Sequence, residues 1–280
     1  MMQVLIDSHQ HYWQLARGDY GWLTEESGVL YRDYLPKDLL PILERHGIRQ
    51  SIVVQAAPTL DETIFLLALA KENLSIAGVV GWVDMESLDS QALLSKLAQD
   101  PKFLGIRPML QDINDPEWVL GGLLAPTFNA LIENGLSFDA LILPHHLYII
   151  EILAERYPKL RIVIDHAAKP NIASSEIDDW SRAIKSIATH QNVYCKLSGL
   201  VTEAGERATK GALQPYVDCL IESFGAKRLM WGSDWPVVKT SMEYEQWLVM
   251  ANELISELTD MEQRQIRGVT AHEFYCLSGS

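Results

Sequence analysis

Short apolar runs rich in branched residues recur along the chain, and each is followed by a polar residue or by a glycine or proline break. These runs lie at residues 4–6, 51–54, 76–83, 104–109, 138–143, 162–164, 193–197 and 229–231. Runs of this length and composition are typical of strands that are covered on both faces, as in parallel sheets. The pattern therefore predicts eight buried parallel strands.

The segments between these runs have helical periodicity. One apolar face is formed by Leu213, Val217, Leu220, Ile221 and Phe224, and a second by Leu147, Ile150, Leu153, Ala154 and Tyr157. Residues 63–73 and 88–99 fit a helix more loosely, because they are apolar on several sides. Pro36 and Pro41 punctuate the helix expected before the second strand, and Pro41 weakens that prediction because proline removes a backbone donor.

Strands that alternate with helices, with no low-complexity linker between them, favour an α/β fold of the closed (β/α)8 kind, the TIM barrel. Such barrels run to about 250 residues as one domain, so residues 1–280 are expected to form a single domain. A Rossmann fold would carry a glycine-rich turn after the first strand, and the sequence there has none. Residues 13–33 are irregular and are expected to form a lid or a first-loop insertion, and residues 113–124 are expected to form a second excursion at the rim.

Composition and charge narrow the class of partner. The chain has 37 acidic and 23 basic residues, a formal net charge of −14, and an ordinary 48% of hydrophobic residues. This excess of negative charge disfavours nucleic acid and anionic membranes as partners. Its three cysteines are widely spaced, and neither a signal peptide nor a membrane-length apolar stretch is recognised. A cytoplasmic location is therefore predicted.

Active sites of barrels form where the strands end, and the first strand runs into two histidines. His9 and His11 alternate, so they are expected to face the same side at the barrel mouth. Two imidazoles there could bind a divalent ion or donate hydrogen bonds to a carbonyl. The alternative is a pair of surface histidines without a chemical role.

Two further polar residues end the sixth and eighth strands. His166 follows three apolar residues and precedes a loop, as a rim residue would, or else it is a core histidine bonded to a carbonyl. Asp234 ends the eighth strand after Gly232 and before Pro236, where it could take a proton from water or simply form a turn. These positions predict that His166 and Asp234 meet the first histidine pair.

Basic residues close the fourth and seventh strands. Arg107 has a fork of donors suited to a carboxylate or a polyol, or it pairs with Asp112 or Asp115. Lys196 lies in an apolar strand, which is costly unless it is paired or at the mouth. Lys169 could equally pair with an acid or touch a substrate. The residues alone leave these alternatives open.

Five motifs, taken together and in this order, resemble the amidohydrolase superfamily. They are D-x-H-x-H-x-W from Asp7, G-I-R at Arg107, D-H-x-x-K-P at His166, K-L-S-G at Lys196 and W-G-S-D-W-P at Asp234. The resemblance is narrower to the amidohydrolase-2 group of TIM-barrel hydrolases, which includes L-fuconolactonase, L-rhamnonolactonase and pyrone-dicarboxylate lactonase. It runs from about Ile6 to Phe274 and implies hydrolysis of a lactone.

This resemblance places His9, His11, His166 and Asp234 at the reaction centre. Asp234 would activate the water, and the carbonyl would be polarised by the imidazoles or by one ion, Zn²⁺ or another divalent metal, held by His9, His11 and Asp234. Members with a full metal site carry a histidine or a carboxylated lysine on the fourth or fifth strand, where this chain has Arg107, and His145 and His146 follow a proline. The resemblance is thus also consistent with a reaction that needs no metal.

The expected substrate is a small sugar-acid lactone of the L-fucono- or L-rhamnono- type. Side chains expected to line its pocket are Arg107, Lys196, Tyr12, Trp13, Gln55 and Trp235, of which Trp235 would serve packing equally well. Two rival functions are a metal-dependent decarboxylase of a small acid and a non-catalytic sugar-acid binding protein. Aromatic residues at 13–22 would suit a lid or a homodimer interface.

Overall fold

The structure, a computed structural model, describes residues 5–277. Eight strands form one parallel sheet in the order of the chain. They are β1 (Ile6–Gln10), β2 (Gln50–Val54), β3 (Ile76–Gly81), β4 (Phe103–Ile106), β5 (Ser137–Ala140), β6 (Arg161–Ile164), β7 (Val193–Leu197) and β8 (Leu229–Trp231). Every pair of sequential strands is parallel, as a barrel of this class requires.

Helices connect the strands and form the outer layer. They are α1 (Pro36–Arg45), α2 (Leu60–Glu72), α3 (Ser90–Leu97), α4 (Ala125–Glu133), α5 (Leu147–Arg156), α6 (Asp178–Ile187), α7 (Leu200–Ala204), α8 (Lys210–Phe224), α9 (Tyr244–Leu254), α10 (Asp260–Arg264) and α11 (Thr270–Phe274). No helix within residues 5–277 is long and apolar enough to cross a membrane.

Hydrogen bonds between the first and last strands bring the two edges of the sheet together. His11 N donates to Trp235 O at 2.7 Å, and Asp234 N donates to His9 O at 2.8 Å. Ser8 Oγ donates to Trp231 O at 2.7 Å. The result is a nearly closed barrel, which confirms the predicted fold class.

All eight predicted runs coincide with strands, but their ends differ. Val4 lies outside the described residues, and β1 continues to Gln10 beyond the predicted end at Ile6. The runs predicted to reach 109 and 143 end as strands at Ile106 and Ala140. The apolar continuation of the second of these runs, at Leu141 and Ile142, is buried in the rim loop. An apolar run can therefore extend beyond the last hydrogen bond of its strand, because the chain stays buried after the pairing of strands ends.

The helical faces pack as their periodicity predicts. Leu213, Val217 and Leu220 of α8 are fully buried, and the side chain of Thr209 caps this helix by accepting from Ala212 N. Pro36 occupies the first turn of α1, where its missing donor costs nothing. Pro41 lies inside the same helix, which continues through it to Arg45, so the doubt raised by Pro41 was wrong.

The segment between β1 and α1, residues 11–35, is the first loop. It contains 3₁₀ turns at Leu15–Arg17 and Glu25–Leu30. Trp13 and Tyr34 exchange backbone hydrogen bonds of 2.9 and 3.0 Å, and both side chains are buried. The loop is therefore a packed cover at the rim, in agreement with the irregular segment predicted at 13–33.

Candidate active site

Four side chains from three strand ends meet at one point of the barrel mouth. Asp234 Oδ1 lies 3.3 Å from His11 Nε2 and 3.8 Å from the Nε2 atoms of both His9 and His166. The Nε2 atoms of His9 and His11 are 3.1 Å apart. All four residues are buried. The convergence predicted from the barrel geometry is therefore present, and none of the three histidines is a surface residue.

Two glycines make room for these rings. A Cβ on Gly199 would stand 2.7 Å from Cγ of His166, and Gly199 has a φ of +69°. A Cβ on Gly232 would stand 2.7 Å from Cβ of His9. A side chain at either position would displace an imidazole, which gives a packing reason for glycine in both motifs.

The loop after β6 forms one left-handed turn of residues that are not glycine. The φ angles of His166, Ala167, Ala168 and Lys169 are 52°, 52°, 59° and 51°, and Lys169 N donates to His166 O at 2.8 Å. Left-handed backbone costs about 1–2 kcal/mol for each such residue. Strain of this kind collects at functional sites. Here the turn directs both His166 and Lys169 to the same cavity.

Hydrogen bonds at Nδ1 orient the imidazoles of His11 and His166. His11 Nδ1 lies 2.7 Å from Val54 O, and a carbonyl can only accept, so in the neutral ring the proton is on Nδ1 and Nε2 carries a free lone pair. His166 Nδ1 lies 2.9 Å from Ser198 Oγ. The Nε2 atoms of both rings therefore face Asp234.

Burial and charge set the ionisation of the cluster. Burial lowers the pKa of His9 well below its usual range and lowers the pKa of His166 to about 4. Burial would raise the pKa of Asp234, but His166 and the nearby rings of His11 and His9 outweigh it and hold that pKa below the usual range. Near neutral pH the cluster thus has an ionised carboxylate beside neutral His9 and His166, which suits a general base.

A layer of buried charges lies directly behind the histidines. Lys196 Nζ is 2.6 Å from Asp139 Oδ2, 3.0 Å from Asp165 Oδ1 and 3.2 Å from His9 Nδ1. Arg107 Nη1 lies 3.3 Å from Asp165 Oδ2. Burial would lower the pKa of Lys196, but the two carboxylates outweigh it and raise that pKa, so the side chain is a cation. The layer anchors His9 from below.

A cavity of about 290 Å³ opens above the cluster at the rim. Its lining consists of His11, Trp22, Ala56, Arg107, Met109, Gln111, Asp112, Leu141, His166, Lys169, Asp234 and Val237. This volume fits a single small molecule. The lining combines charged and amide groups with apolar side chains.

A sequence profile described as amidohydrolase matches residues 6–277. The chain belongs to the amidohydrolase family. The resemblance read from the five motifs is thereby confirmed.

Two relatives and one solved structure cover nearly all of this amidohydrolase. L-Fucono-1,5-lactonase of Burkholderia ambifaria is 45% identical over 278 residues, which are 98% of this chain and 96% of that protein. L-Fucono-1,5-lactonase of Burkholderia multivorans is 36% identical over 291 residues, with 99% and 97% covered. A crystal structure of an amidohydrolase from Burkholderia multivorans with bound zinc has a TM-score of 0.91 at 35% identity, and covers 98% of this chain and 100% of that chain.

Six residues were predicted to contact the substrate. Of these, Arg107 lines the cavity formed by residues 5–277, and the other five do not. Lys196 is fully buried behind His9, not at the barrel mouth. Gln55 Nε2 donates to Arg107 O at 2.7 Å and so supports that arginine. The physical reason is that strand periodicity gives the face of a side chain and not its depth along the barrel.

The aromatic candidates pack within the first loop and against β8. Trp13 Nε1 donates to Arg32 O at 2.7 Å. The rings of Tyr12 and Trp235 are 6.0 Å apart in an edge-to-face arrangement. All three side chains are buried, so the packing interpretation of Trp235 describes its surroundings better than a cavity wall does.

Sequence reasoning missed several residues of the site. Asp165, and not Asp112 or Asp115, is the carboxylate that the structure pairs with Arg107. Asp165 is the first residue of the motif that contains His166, and Asp139 is a charged residue inside an apolar strand. A buried carboxylate needs a cation or a hydrogen-bond donor, so both positions could have been identified from the sequence. Trp22 lines the cavity from the first loop, and no local pattern marks it out.

His9, His11 and Asp234 fit a divalent metal. Ligands of a tetrahedral zinc ion stand roughly 3.3 Å apart, since Zn–N distances are near 2.0–2.1 Å. Two of the three distances, 3.1 and 3.3 Å, match this value, and the third, 3.8 Å between His9 Nε2 and Asp234 Oδ1, is about half an ångström longer. His9, Asp165 and His166 form a second group with ligand atoms in reach of one another. Groups that could hold a divalent ion are therefore present.

The histidines after β5 lie apart from this cluster. Pro144–His146 forms a 3₁₀ turn, as the position after a proline suggested. His146 Nδ1 accepts a hydrogen bond from Leu143 N at 3.1 Å, which caps the turn, and His145 is exposed. Neither belongs to the possible metal-binding groups found among residues 5–277.

Proposed function

We propose that this protein is a lactonase that opens a small sugar-acid lactone, of the L-fucono- or L-rhamnono- type, with water. The observation that carries the proposal is the Asp234 carboxylate within 3.8 Å of three imidazoles at the base of a cavity of about 290 Å³. The names of both relatives support a lactone as the substrate. They do not favour decarboxylation or a non-catalytic binding role.

Asp234 acts as the general base. Its ionised carboxylate takes a proton from the attacking water while the water oxygen forms a bond to the carbonyl carbon. The bond from that carbon to the ring oxygen then breaks, and the proton held by Asp234 passes to the leaving ring oxygen. The product is the open hydroxy acid. A lactone is an activated ester, so one base and a polarised carbonyl are sufficient.

The carbonyl oxygen is stabilised by groups that face the cavity. His11 and His166 line it, whereas His9 lies behind them. Arg107 and Lys169 add fixed positive charge to the same cavity. Donors and cations that are already in place stabilise the negative charge that develops on the oxygen at little reorganisation cost.

His9, His11 and Asp234 would hold one divalent ion, Zn²⁺ or another. When bound, such an ion supplies Lewis-acid polarisation of the carbonyl. Without it, His166, Arg107 and Lys169 would polarise the carbonyl, because all three line the cavity and can donate hydrogen bonds. Measurement of metal content together with activity before and after chelation distinguishes these two versions of the reaction.

The cavity lining supports a polyol that also carries an apolar part. Gln111, Asp112 and Arg107 offer hydrogen-bonding groups for ring hydroxyls. Trp22, Met109 and Leu141 provide an apolar wall that suits a ring face or the methyl group of a deoxy sugar. A cytoplasmic location, a homodimer, one domain over residues 1–280 and the lack of nucleic-acid binding stay predictions.

A pH-indicator screen tests the proposal directly. Purified protein is mixed with a panel of aldonolactones in weak buffer, with and without chelator, and proton release is followed. We expect release with deoxy-hexonolactones well above the spontaneous rate. A rate equal to the spontaneous rate across the panel, in protein that is folded and metal-loaded, would overturn the proposal.

A further inference from the structure

Lys196 is a buried charged group to which the proposed reaction assigns no role. This residue is fully buried, and its ammonium faces three acceptors: Asp139 Oδ2 at 2.6 Å, Asp165 Oδ1 at 3.0 Å and His9 Nδ1 at 3.2 Å. An ammonium has three protons and no lone pair, so it can only donate. It donates to Asp139 Oδ2 and to His9 Nδ1, whereas its contact with Asp165 Oδ1 is an ion pair without a hydrogen bond.

A donor at Nδ1 decides where the proton of His9 lies. A neutral imidazole carries one proton, and if Nδ1 accepts from Lys196 that proton must be on Nε2. His9 Nε2 lies 3.1 Å from His11 Nε2, which has a free lone pair because His11 Nδ1 donates to Val54 O. A directed chain of hydrogen bonds then runs from Lys196 through His9 and His11 to the backbone of β2.

The opposite tautomer of His9 is the one that a metal requires. A metal-bound His9 Nε2 has no proton, so Nδ1 must carry it and must donate to an acceptor. Asp165 Oδ1 is available at 3.5 Å from Nδ1, but Lys196 Nζ is nearer and would then face Nδ1 donor to donor. The Asp165 carboxylate thus favours the Nδ1-protonated tautomer of His9, and the Lys196 ammonium favours the Nε2-protonated tautomer.

We propose that Lys196 is a positioning residue that holds His9 as the Nε2-protonated tautomer and so weakens binding of a divalent ion by His9, His11 and Asp234. This leaves Asp234 free to accept a proton, because a carboxylate bound to a cation is a weaker base. Asp165 supports the metal-bound tautomer, so Lys196 and Asp165 together set the balance between the two states. The consequence for catalysis rests on the proposed lactonase function, whereas the tautomer and the metal affinity do not.

The tautomer is measured on the unaltered protein without substrate. Long-range ¹H–¹⁵N spectra of chelator-treated, ¹⁵N-histidine-labelled protein distinguish the two neutral tautomers, and a His9→Gln variant assigns the signal of His9. We expect the Nε2-protonated pattern for His9 in metal-free protein and the Nδ1-protonated pattern after saturation with zinc. A proton on Nδ1 of His9 in the metal-free protein would overturn the inference.

Zinc affinity is then compared among variants by competition with a chromophoric chelator. Lys196→Met removes the donor, and we expect zinc to bind about 10- to 100-fold more tightly, the usual range for a partner of a metal ligand. Asp139→Asn is the matched control, because it disturbs the same buried layer and leaves the contact between Lys196 and His9 in place. We expect its zinc affinity to remain within about threefold of the unaltered protein.

Removal of Lys196 alone leaves two buried carboxylates short of a cation, and the variant could fail to fold for that reason. Lys196→Met combined with Asp139→Asn removes one charge of each sign and avoids this. Unchanged zinc affinity in the folded double variant would contradict the inference even if lactonase activity were found. Equal tightening in the Asp139→Asn control would assign the effect to general loosening of the layer and would contradict it as well.

Discussion

The indole nitrogen of Trp22 donates a hydrogen bond of 2.7 Å to the carbonyl oxygen of Ala56. Trp22 belongs to the first loop and Ala56 follows β2, so this bond ties the cover of the cavity to its rim. Both residues line the cavity. The amide of Ala56 is held from the other side by Glu62, whose two carboxylate oxygens each lie 3.0 Å from Ala56 N. The wall of the cavity at this point is therefore fixed by two contacts from outside the barrel strands.

Trp22→Phe removes the hydrogen bond and keeps most of the apolar surface. One such bond contributes about 0.5–1.5 kcal/mol, so we expect KM for the lactone to rise about three- to tenfold while kcat changes less. Tyr31→Phe, a change at an exposed position of the same loop, serves as the control. Unaltered steady-state kinetics in Trp22→Phe would show that the loop does not contribute to substrate binding.

Asp234→Asn tests the general base. The amide keeps the shape of the side chain but cannot accept the proton of water, so kcat should fall by about 10²- to 10⁴-fold. Asp179→Asn, at an exposed position on α6, should leave kcat within about twofold, since surface substitutions rarely matter. Near-normal turnover of a folded Asp234→Asn protein would exclude Asp234 as the base.

Gly199→Ala tests the room that the backbone leaves for His166. Gly199 and Gly205 both have positive φ, of +69° and +54°, but a Cβ meets His166 Cγ at 2.7 Å only in the first case. Alanine at either site should cost about 1–2 kcal/mol of unfolding free energy from backbone strain. We expect a loss of kcat on the order of 100-fold only for Gly199→Ala, because the ring is displaced. Equal kcat in the two variants would contradict this role of Gly199.

Glu62 should make stability depend on pH. Burial raises its pKa from 4.5 to about 7, against the lowering effect of the backbone donors Ala57 and Ala56. Because the folded-state pKa lies above the unfolded value, the folded protein binds the proton more tightly. The contribution of Glu62 to stability is therefore fully present below about pH 4.5 and is lost as the pH rises through about 7.

The corresponding measurement is urea unfolding between pH 4.5 and pH 8 for the unaltered protein and for Glu62→Gln. A shift of this size corresponds to about 3 kcal/mol, and the difference in stability between the two proteins should change by up to that amount across the window. The comparison isolates Glu62, since Asp7, whose pKa burial raises to about 6, titrates in both proteins. Parallel stability curves would refute the assignment.

Much of the fold and the central cluster follows from local patterns in the chain. The apolar runs mark all eight strands, because a strand covered on both faces needs apolar side chains throughout. His9, His11, His166 and Asp234 could be predicted because each follows such a run, and strand ends of a barrel share one rim. The five motifs further identified the family, since their order along the chain is itself specific.

Other features of the site depend on contacts between distant segments. The sequence around Lys196 would be the same whether its side chain lay at the barrel mouth or below it. How far along the barrel axis it lies depends on the stagger of β7 against the neighbouring strands. Trp22 is one of several aromatic residues in an irregular loop, and its contact with Ala56 has no counterpart in periodicity. The left-handed turn at His166 occurs without glycine and contradicts local preference, so surrounding contacts must impose it.

By itself, then, the sequence determined which residues follow the strands and hence which chemical groups gather at the rim. The tertiary structure decided how deep each charge lies, which acid pairs with which base, and which loop residue covers the cavity. The physical reason is that alternation and periodicity act between neighbours in the chain, whereas burial, ion pairing and backbone strain are set by whatever the closed barrel brings together.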